Sequence, residues 1–202
     1  ALARVFYETC LTLTFTALDE GERADQAELY SIYKTFRPQT KVQKAGFHLL
    51  KIEQSPRIQR NHPRIKEALD RFQNGHSSRP CFQESRSDMM DAISEVDPTS
   101  GLFFGGVEGM IFDLSSEVIH GSFHGYELFE HLHNRKTEKI ENFQGHFEDI
   151  AFSVWLSSAG LARVLRTNIA QTEEMKKIEK FALSGLSRFL PDDMSKALGE
   201  LT

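Results

Sequence analysis

The stretch "FEDIAFSVWLSSAGLARVLRTNIA", residues 147–170, decides the fold. Apolar side chains, Trp155 among them, alternate with many small residues over a length that predicts one long helix. The same recurrence of apolar residues at helical spacing predicts further helices over 1–18, 22–36, 40–54, 63–73, 85–96, 106–120 and 173–188. No run alternates in the manner of a strand. The sequence therefore predicts an all-α protein, an irregular bundle of six to eight helices.

The connections are less regular than the helices. "DPTSGLFFGG", residues 97–106, is expected to break the chain between two helices. The stretch 126–146 fits either a helix or a surface loop. At 202 residues, one helical domain over 1–202 is the expected organisation. Because the first residues already have a helical pattern, we also expect an N-terminal helix upstream of Ala1.

Composition excludes several classes of protein. The chain is 40% hydrophobic and 26% charged, as in ordinary globular proteins, and no 18 consecutive apolar residues are present to span a membrane. Its two cysteines, Cys10 and Cys81, stand far apart in unlike contexts. This pattern favours a reducing, cytoplasmic location over a disulfide scaffold or a zinc site.

Charge is distributed unevenly along the chain. The net charge is −5, yet the stretch from Lys34 to Arg71 holds ten Lys and Arg against three acidic residues. Such asymmetry is typical of a surface that faces a polyanion such as RNA, although a solvated helix face paired with acidic segments gives the same pattern. The candidate nucleic-acid contacts within it are Lys41, Lys44, Lys51, Arg57, Arg60 and Arg64.

The candidate chemistry lies in "IFDLSSEVIHGSFHG", residues 111–125. Ser116 and His120 are four residues apart and would share one helix face, where His can move a proton and Ser can orient it or bind a phosphate oxygen. Gly121 follows directly and makes His120 a residue at a helix end. Alternatively, the pair fills a polar seam between helices.

A charged pair lies on the otherwise apolar first helix. Arg4 and Glu8 are spaced for an ion pair, with apolar residues on both sides. Charges on a largely buried helix need partners, and the Ser/His segment is the most polar candidate. We therefore predict that Arg4 and Glu8 approach Ser116 and His120.

These motifs together resemble a bacterial family of uncharacterised helical proteins related to the HEPN superfamily. The resemblance covers residues 1–125 loosely and rests on Arg4, Glu8, Phe112, Leu114, Ser115 or Ser116, His120, Gly121 and Ser122. It implies a HEPN-like fold, a homodimer, and metal-independent cleavage of RNA in a toxin–antitoxin or antiphage system. The superfamily's Arg-x(4–6)-His motif is absent before His120, because the positions four to seven residues upstream hold no Arg.

Three functions remain open. In the first, a ribonuclease without a cofactor uses His120 as acid or base and Arg4 to stabilise phosphate charge, while Ser116 and Glu8 orient them. In the second, the same residues form a structural polar cluster in a non-catalytic module that binds a cognate protein. In the third, a helical enzyme binds a metal through Glu8, Glu117, His120 and His124.

Overall fold

The computed structural model describes residues 2–19, 21–36, 41–44, 47–51, 63–74, 77–78, 80–112, 140–169 and 171–191. Its α-helices are α1 (Leu2–Thr16), α2 (Glu22–Phe36), α3 (Ile65–Phe72), α4 (Arg86–Val96), α5 (Pro98–Val107), α6 (Ile140–Asn168) and α7 (Glu173–Leu186). A π-turn (Glu108–Phe112) follows α5, and a short 3₁₀ helix (Ser187–Phe189) follows α7. The strands are β1 (Lys41–Lys44), β2 (Phe47–Lys51), β3 (Gln73–Asn74) and β4 (Ser77–Ser78).

Chain contacts divide the protein into two compact units. The first comprises 1–19 and 84–202, and the second comprises 20–83. The described residues hold seven α-helices and two short hairpins, so the prediction of an all-α bundle of six to eight helices is confirmed. The HEPN-like topology and the single domain over 1–202 stay predictions. No helix in the described ranges is long and apolar enough to cross a membrane.

Helix α6 is the centre of the first unit. It has 29 residues and packs against α1, α5 and α7. Small buried residues on α6, such as Ala159 and Ala162, let the neighbouring helices approach closely. At Gly160 an added Cβ would lie 2.9 Å from the ring of Phe104, so only glycine admits this ring. The helix predicted over 147–170 is thus confirmed and begins earlier, at Ile140.

The expected break over 97–106 is wrong, because the segment forms α5. Pro98 occupies the first turn, where its missing N–H costs nothing, and this turns an apparent breaker into a helix start. Gly101 lies against α4, where an added Cβ would meet the Cα of Ser94 at 2.8 Å. Gly101 therefore allows α4 and α5 to pack closely and does not indicate a loop. A helix is predicted over 106–120. Residues 106–112 of it form the end of α5 and the π-turn, and residues 113–120 lie outside the described residues.

The second unit is built on α2 and α3. Its core consists of side chains from both helices: Leu29, Ile32, Tyr33, Ala68 and Phe72. The helix predicted over 40–54 is wrong, since β1 and β2 form an antiparallel hairpin there. Short apolar runs such as "FHLL" fit a strand as well as a helix, and the sequence places Gly46, a common turn former, between the strands.

Candidate functional site

Arg4 and Glu8 form the ion pair that their spacing predicts. The Nε of Arg4 donates to Oε1 of Glu8 at 3.1 Å, across one turn of α1. The side chain of Arg4 is 17% exposed and that of Glu8 is 40% exposed. The pair therefore lies at the rim of the helix face that is buried in the first unit, beside Tyr7.

Tyr7 extends this site to a distant part of the chain. Its hydroxyl donates a 2.7 Å hydrogen bond to Oε2 of Glu108, the first residue of the π-turn. The Sδ of Met90 on α4 lies 3.6 Å from the same hydroxyl. Burial, together with the hydrogen bond and the charge of Glu108, raises the pKa of Tyr7 far above its usual range. Tyr7 is therefore a permanent neutral donor and not a base.

Glu108 is shared with a third element. The Nε of Arg86, in the first turn of α4, lies 3.2 Å from Oε1 of Glu108, so its two oxygens bind Arg86 and Tyr7 separately. π-turns are rare and often occur at functional sites. One carboxylate thus fixes α1, α4 and the π-turn relative to one another.

Tyr7, Arg86 and Glu108 carry no clear sequence signal as site residues. Tyr7 stands three residues after Arg4, and its largely apolar ring does not distinguish it from a residue that only packs in a helix face. Glu108 lies in "GGVEG", residues 105–109, within the first turn of the helix predicted over 106–120. A lone carboxylate in an apolar, glycine-rich run is the one signal available, because such a charge needs a partner when buried.

The remaining predicted site residues follow the π-turn. Ser116 and His120 stand eight and twelve residues after Glu108 in the sequence, and both lie outside the described residues. Glu117 and His124 of the metal alternative lie outside them as well. The structure therefore unites Arg4 with Glu8 and ties their helix to the start of the segment that leads to His120. Their catalytic roles stay predictions.

The candidate nucleic-acid contacts that the structure describes lie at the N-cap of α3 and on the β1–β2 hairpin. Arg64 binds three carboxylates within the second unit, at 2.7 Å from Asp25, 3.0 Å from Glu28 and 3.1 Å from Glu67. A phosphate would have to compete with these partners. Two lysines, Lys41 and Lys51, occupy paired positions in the hairpin register.

The other members of that set are less defined. Lys44 pairs in register with Phe47 at the turn end of the hairpin. Arg57 and Arg60 lie outside the described residues. Nucleic-acid binding by this segment stays a prediction.

A second polar cluster joins α5, α6 and α7 within the first unit. Arg163 donates to Asp97 from Nε at 2.9 Å and from Nη2 at 3.3 Å, and its Nη1 lies 3.5 Å from Glu179. Arg166 binds the same carboxylate of Glu179. Burial would raise the pKa of Asp97, but hydrogen bonds from Arg163 and Ser100 outweigh burial and hold this pKa below its usual value. The hydrogen bond that Arg163 donates to Asp97 in turn raises the pKa of Arg163.

No group of three or more His, Cys, Asp and Glu side chains arranged for a metal ion occurs within the described ranges. Since most ligands of the metal alternative lie elsewhere, that alternative also stays a prediction.

No family model, no curated protein and no solved structure matches the chain. The resemblance to the HEPN superfamily therefore stays a prediction that rests on the sequence motifs alone.

Proposed function

We propose that this protein is a HEPN-like, metal-independent ribonuclease, acting in a toxin–antitoxin or antiphage system. The observation that supports it is the hydrogen bond from Tyr7 to Glu108. This bond ties the helix of Arg4 and Glu8 to the turn from which the chain continues toward Ser116 and His120. The chain that leads to the second motif is thereby tied, up to Phe112, to the helix that carries the first motif.

In this proposal RNA cleavage uses the side chains of His120, Arg4 and Ser116. His120 accepts the proton of a ribose 2′-hydroxyl while the 2′-oxygen attacks the adjacent phosphorus. The new P–O2′ bond forms, the P–O5′ bond breaks, the leaving 5′-oxygen takes up a proton from water, and His120 returns the proton that it accepted to the resulting hydroxide. The products are a 2′,3′-cyclic phosphate and a 5′-hydroxyl. Arg4 stabilises the charge that accumulates on the phosphoryl oxygens, and Ser116 orients His120.

Glu8 and the Glu108 network have positioning roles in this proposal. Glu8 holds the Nε edge of Arg4, which fixes the plane of the guanidinium on α1. Tyr7 and Arg86 both bind Glu108, so the first residue of the π-turn has little freedom to move. Catalytic geometry requires such support, because small displacements of an acid–base pair reduce its rate strongly.

A second candidate function is a non-catalytic module that binds a cognate protein. One observation favours it: the site's described charges are paired within the protein, Arg4 with Glu8 and Glu108 with Arg86. The absence of an Arg four to seven residues before His120 points the same way. In this case the cluster fixes the packing of α1 against α4 and the π-turn.

The experiment that separates these functions is RNA cleavage with and without EDTA. We expect the wild-type protein to cleave mixed RNA in EDTA and to leave 2′,3′-cyclic phosphates, detected by mass spectrometry. His120→Ala should lose about 100-fold or more of this activity, the usual contribution of a general acid–base group. Arg4→Gln should lose a similar amount.

Arg188→Gln is the matched control, because Arg188 is an exposed arginine of the same unit and should leave cleavage unchanged. Cleavage by the wild type that EDTA abolishes would contradict the proposal and favour the metal alternative. No cleavage by the wild type, with a large loss of thermal stability in His120→Ala, would instead favour the non-catalytic module.

A further inference from the structure

A cavity of about 320 Å³ opens between α6 and α7 in the first unit. Its lining is unusual in charge, with three cations and one carboxylate: Arg166, Lys176, Lys180 and Glu179. On α7 the three residues 176, 179 and 180 follow helical spacing and share one face. Arg166 comes from the last turn of α6.

The carboxylate in this cavity is already neutralised. Glu179 is 6% exposed in its side chain and lies within ion-pair distance of both Arg163 and Arg166. Arg163 is compensated in turn by its two hydrogen bonds to Asp97. Two arginines therefore balance two carboxylates, Lys176 has an exposed carboxylate partner in Glu173, and Lys180 remains as excess positive charge.

The two lysines are held only weakly by the protein. Lys176 has an exposed ion pair with Glu173 at 2.7 Å, one turn earlier on α7, and such exposed pairs contribute little. Lys180 is exposed and has no ion pair with any other residue that the structure describes. Both ammonium groups are available to an incoming anion without breaking a buried contact.

From this arrangement we infer that the cavity between α6 and α7 is a binding site for a small phosphate monoester dianion. Lys176 and Lys180 supply two point charges from one side, and Arg166 supplies a guanidinium edge from α6. Glu179 orients Arg166 through a direct ion pair. A dianion suits this set better than a monoanion because it can bind Lys180, which has no described ion-pair partner, and at the same time replace the exposed partner of Lys176, Glu173. The volume lies within the range of small-molecule sites.

The test is isothermal titration calorimetry on the full chain at pH 8, where phosphate is a dianion, with inorganic phosphate and ribose 5-phosphate as separate probes. Saturable binding of ribose 5-phosphate that is tighter than that of inorganic phosphate is the expected result. Binding of inorganic phosphate with equal or higher affinity would make free phosphate the ligand and overturn the monoester. Acetate, a monoanion, should not compete with either probe.

Variants locate the site. Lys176→Gln and Lys180→Gln should each weaken binding about tenfold, since one lost charge-assisted hydrogen bond corresponds to that factor. Lys177→Gln is the matched control: it removes the same charge from an exposed position of α7 that does not line the cavity, and should change affinity less than about twofold. Unfolding temperatures of all three variants, measured in parallel, show that the fold is retained.

Equal weakening in Lys177→Gln and Lys180→Gln would overturn the site, because it would reveal only a general charge effect. If neither probe releases or absorbs heat up to about 10 mM, the site is overturned too, because a few direct contacts would already give a Kd below this concentration. His120→Ala should leave the phosphate affinity unchanged, so this inference and the proposed ribonuclease activity can fail independently.

Discussion

Tyr7 and Glu108 are 101 residues apart in the sequence, and the hydroxyl of one donates a 2.7 Å hydrogen bond to the carboxylate of the other. Arg86 holds the second oxygen of the same carboxylate at 3.2 Å. Tyr7 is 1% exposed and the Glu108 side chain is 24% exposed, so this contact is partly buried. It is the link between the first helix and the chain that continues toward His120.

Replacing Tyr7 by Phe should destabilise the first unit. The ring packing is retained, while Glu108 loses one of its two partners, and a hydrogen bond to a charged group is worth about 1.5–3 kcal/mol. Urea unfolding followed by circular dichroism measures the loss. Tyr33→Phe is the control, because Tyr33 is also buried but forms no hydrogen bond with the described residues, and it should change stability by less than about 0.5 kcal/mol. Equal losses in both variants would show that the Tyr7 hydroxyl contributes nothing.

The Asp97–Arg163 ion pair should make the free energy of unfolding depend on pH in the acidic range. The pKa of Asp97 in the folded protein lies below its ordinary value of about 3.9. Its contribution is therefore fully present above about pH 4 and is lost as the pH falls through the lower, folded pKa. Asp97→Asn should cost about 3–5 kcal/mol at pH 7, since it leaves Arg163 without its bidentate partner.

Unfolding measured from pH 7 to pH 2 tests this expectation. The difference between the wild type and Asp97→Asn should shrink below pH 4, where the wild-type carboxylate becomes protonated. Asp91→Asn, an exposed position on α4, should follow the wild type at every pH. A constant difference between the wild type and Asp97→Asn down to pH 2 would rule out the predicted linkage.

Two glycines of α5 should respond in opposite directions to alanine. Gly101→Ala places a Cβ against the backbone of Ser94, and overpacking of this kind costs about 1–3 kcal/mol. Gly105→Ala meets nothing within 4 Å and should gain up to about 1 kcal/mol, because alanine is the better helix former. Thermal unfolding of the two variants compares them directly. Destabilisation by both would mean that the contact with Ser94 is not the cause.

The cysteines should differ in their reaction with iodoacetamide. Burial raises the pKa of the Cys10 thiol to about 11, and its side chain is inaccessible in α1. Burial also raises the pKa of Cys81, but Arg71 counteracts part of this effect and the residue is only partly buried. At pH 8 we expect slow labelling of Cys81 and none of Cys10, with both labelled in 8 M urea. Mass spectrometry of tryptic peptides follows each site, and earlier labelling of Cys10 would contradict the burial of α1.

Local pattern predicted most of the helices but failed where tertiary or turn context decides. The segment 98–107 has three glycines and a proline, yet its proline starts a helix and its Gly101 fits against α4. The segment 40–54 has apolar residues at spacings that suit a helix, yet β1 and β2 pair within it. Short apolar runs do not distinguish the two structures, because pairing with another strand contributes energy that the local sequence does not contain.

The sequence by itself determined the helical class and the Arg4–Glu8 pair, because both depend on residues within one or two turns of the same helix. Only the tertiary structure decided that Tyr7 meets Glu108 and that Arg163 meets Asp97, partners 101 and 66 residues apart. Helical periodicity indicates that a helix has an apolar face. Which other helix covers that face is decided by the packing of all the helices together, since the free energy of a buried polar contact depends on the partner that shares its desolvated environment.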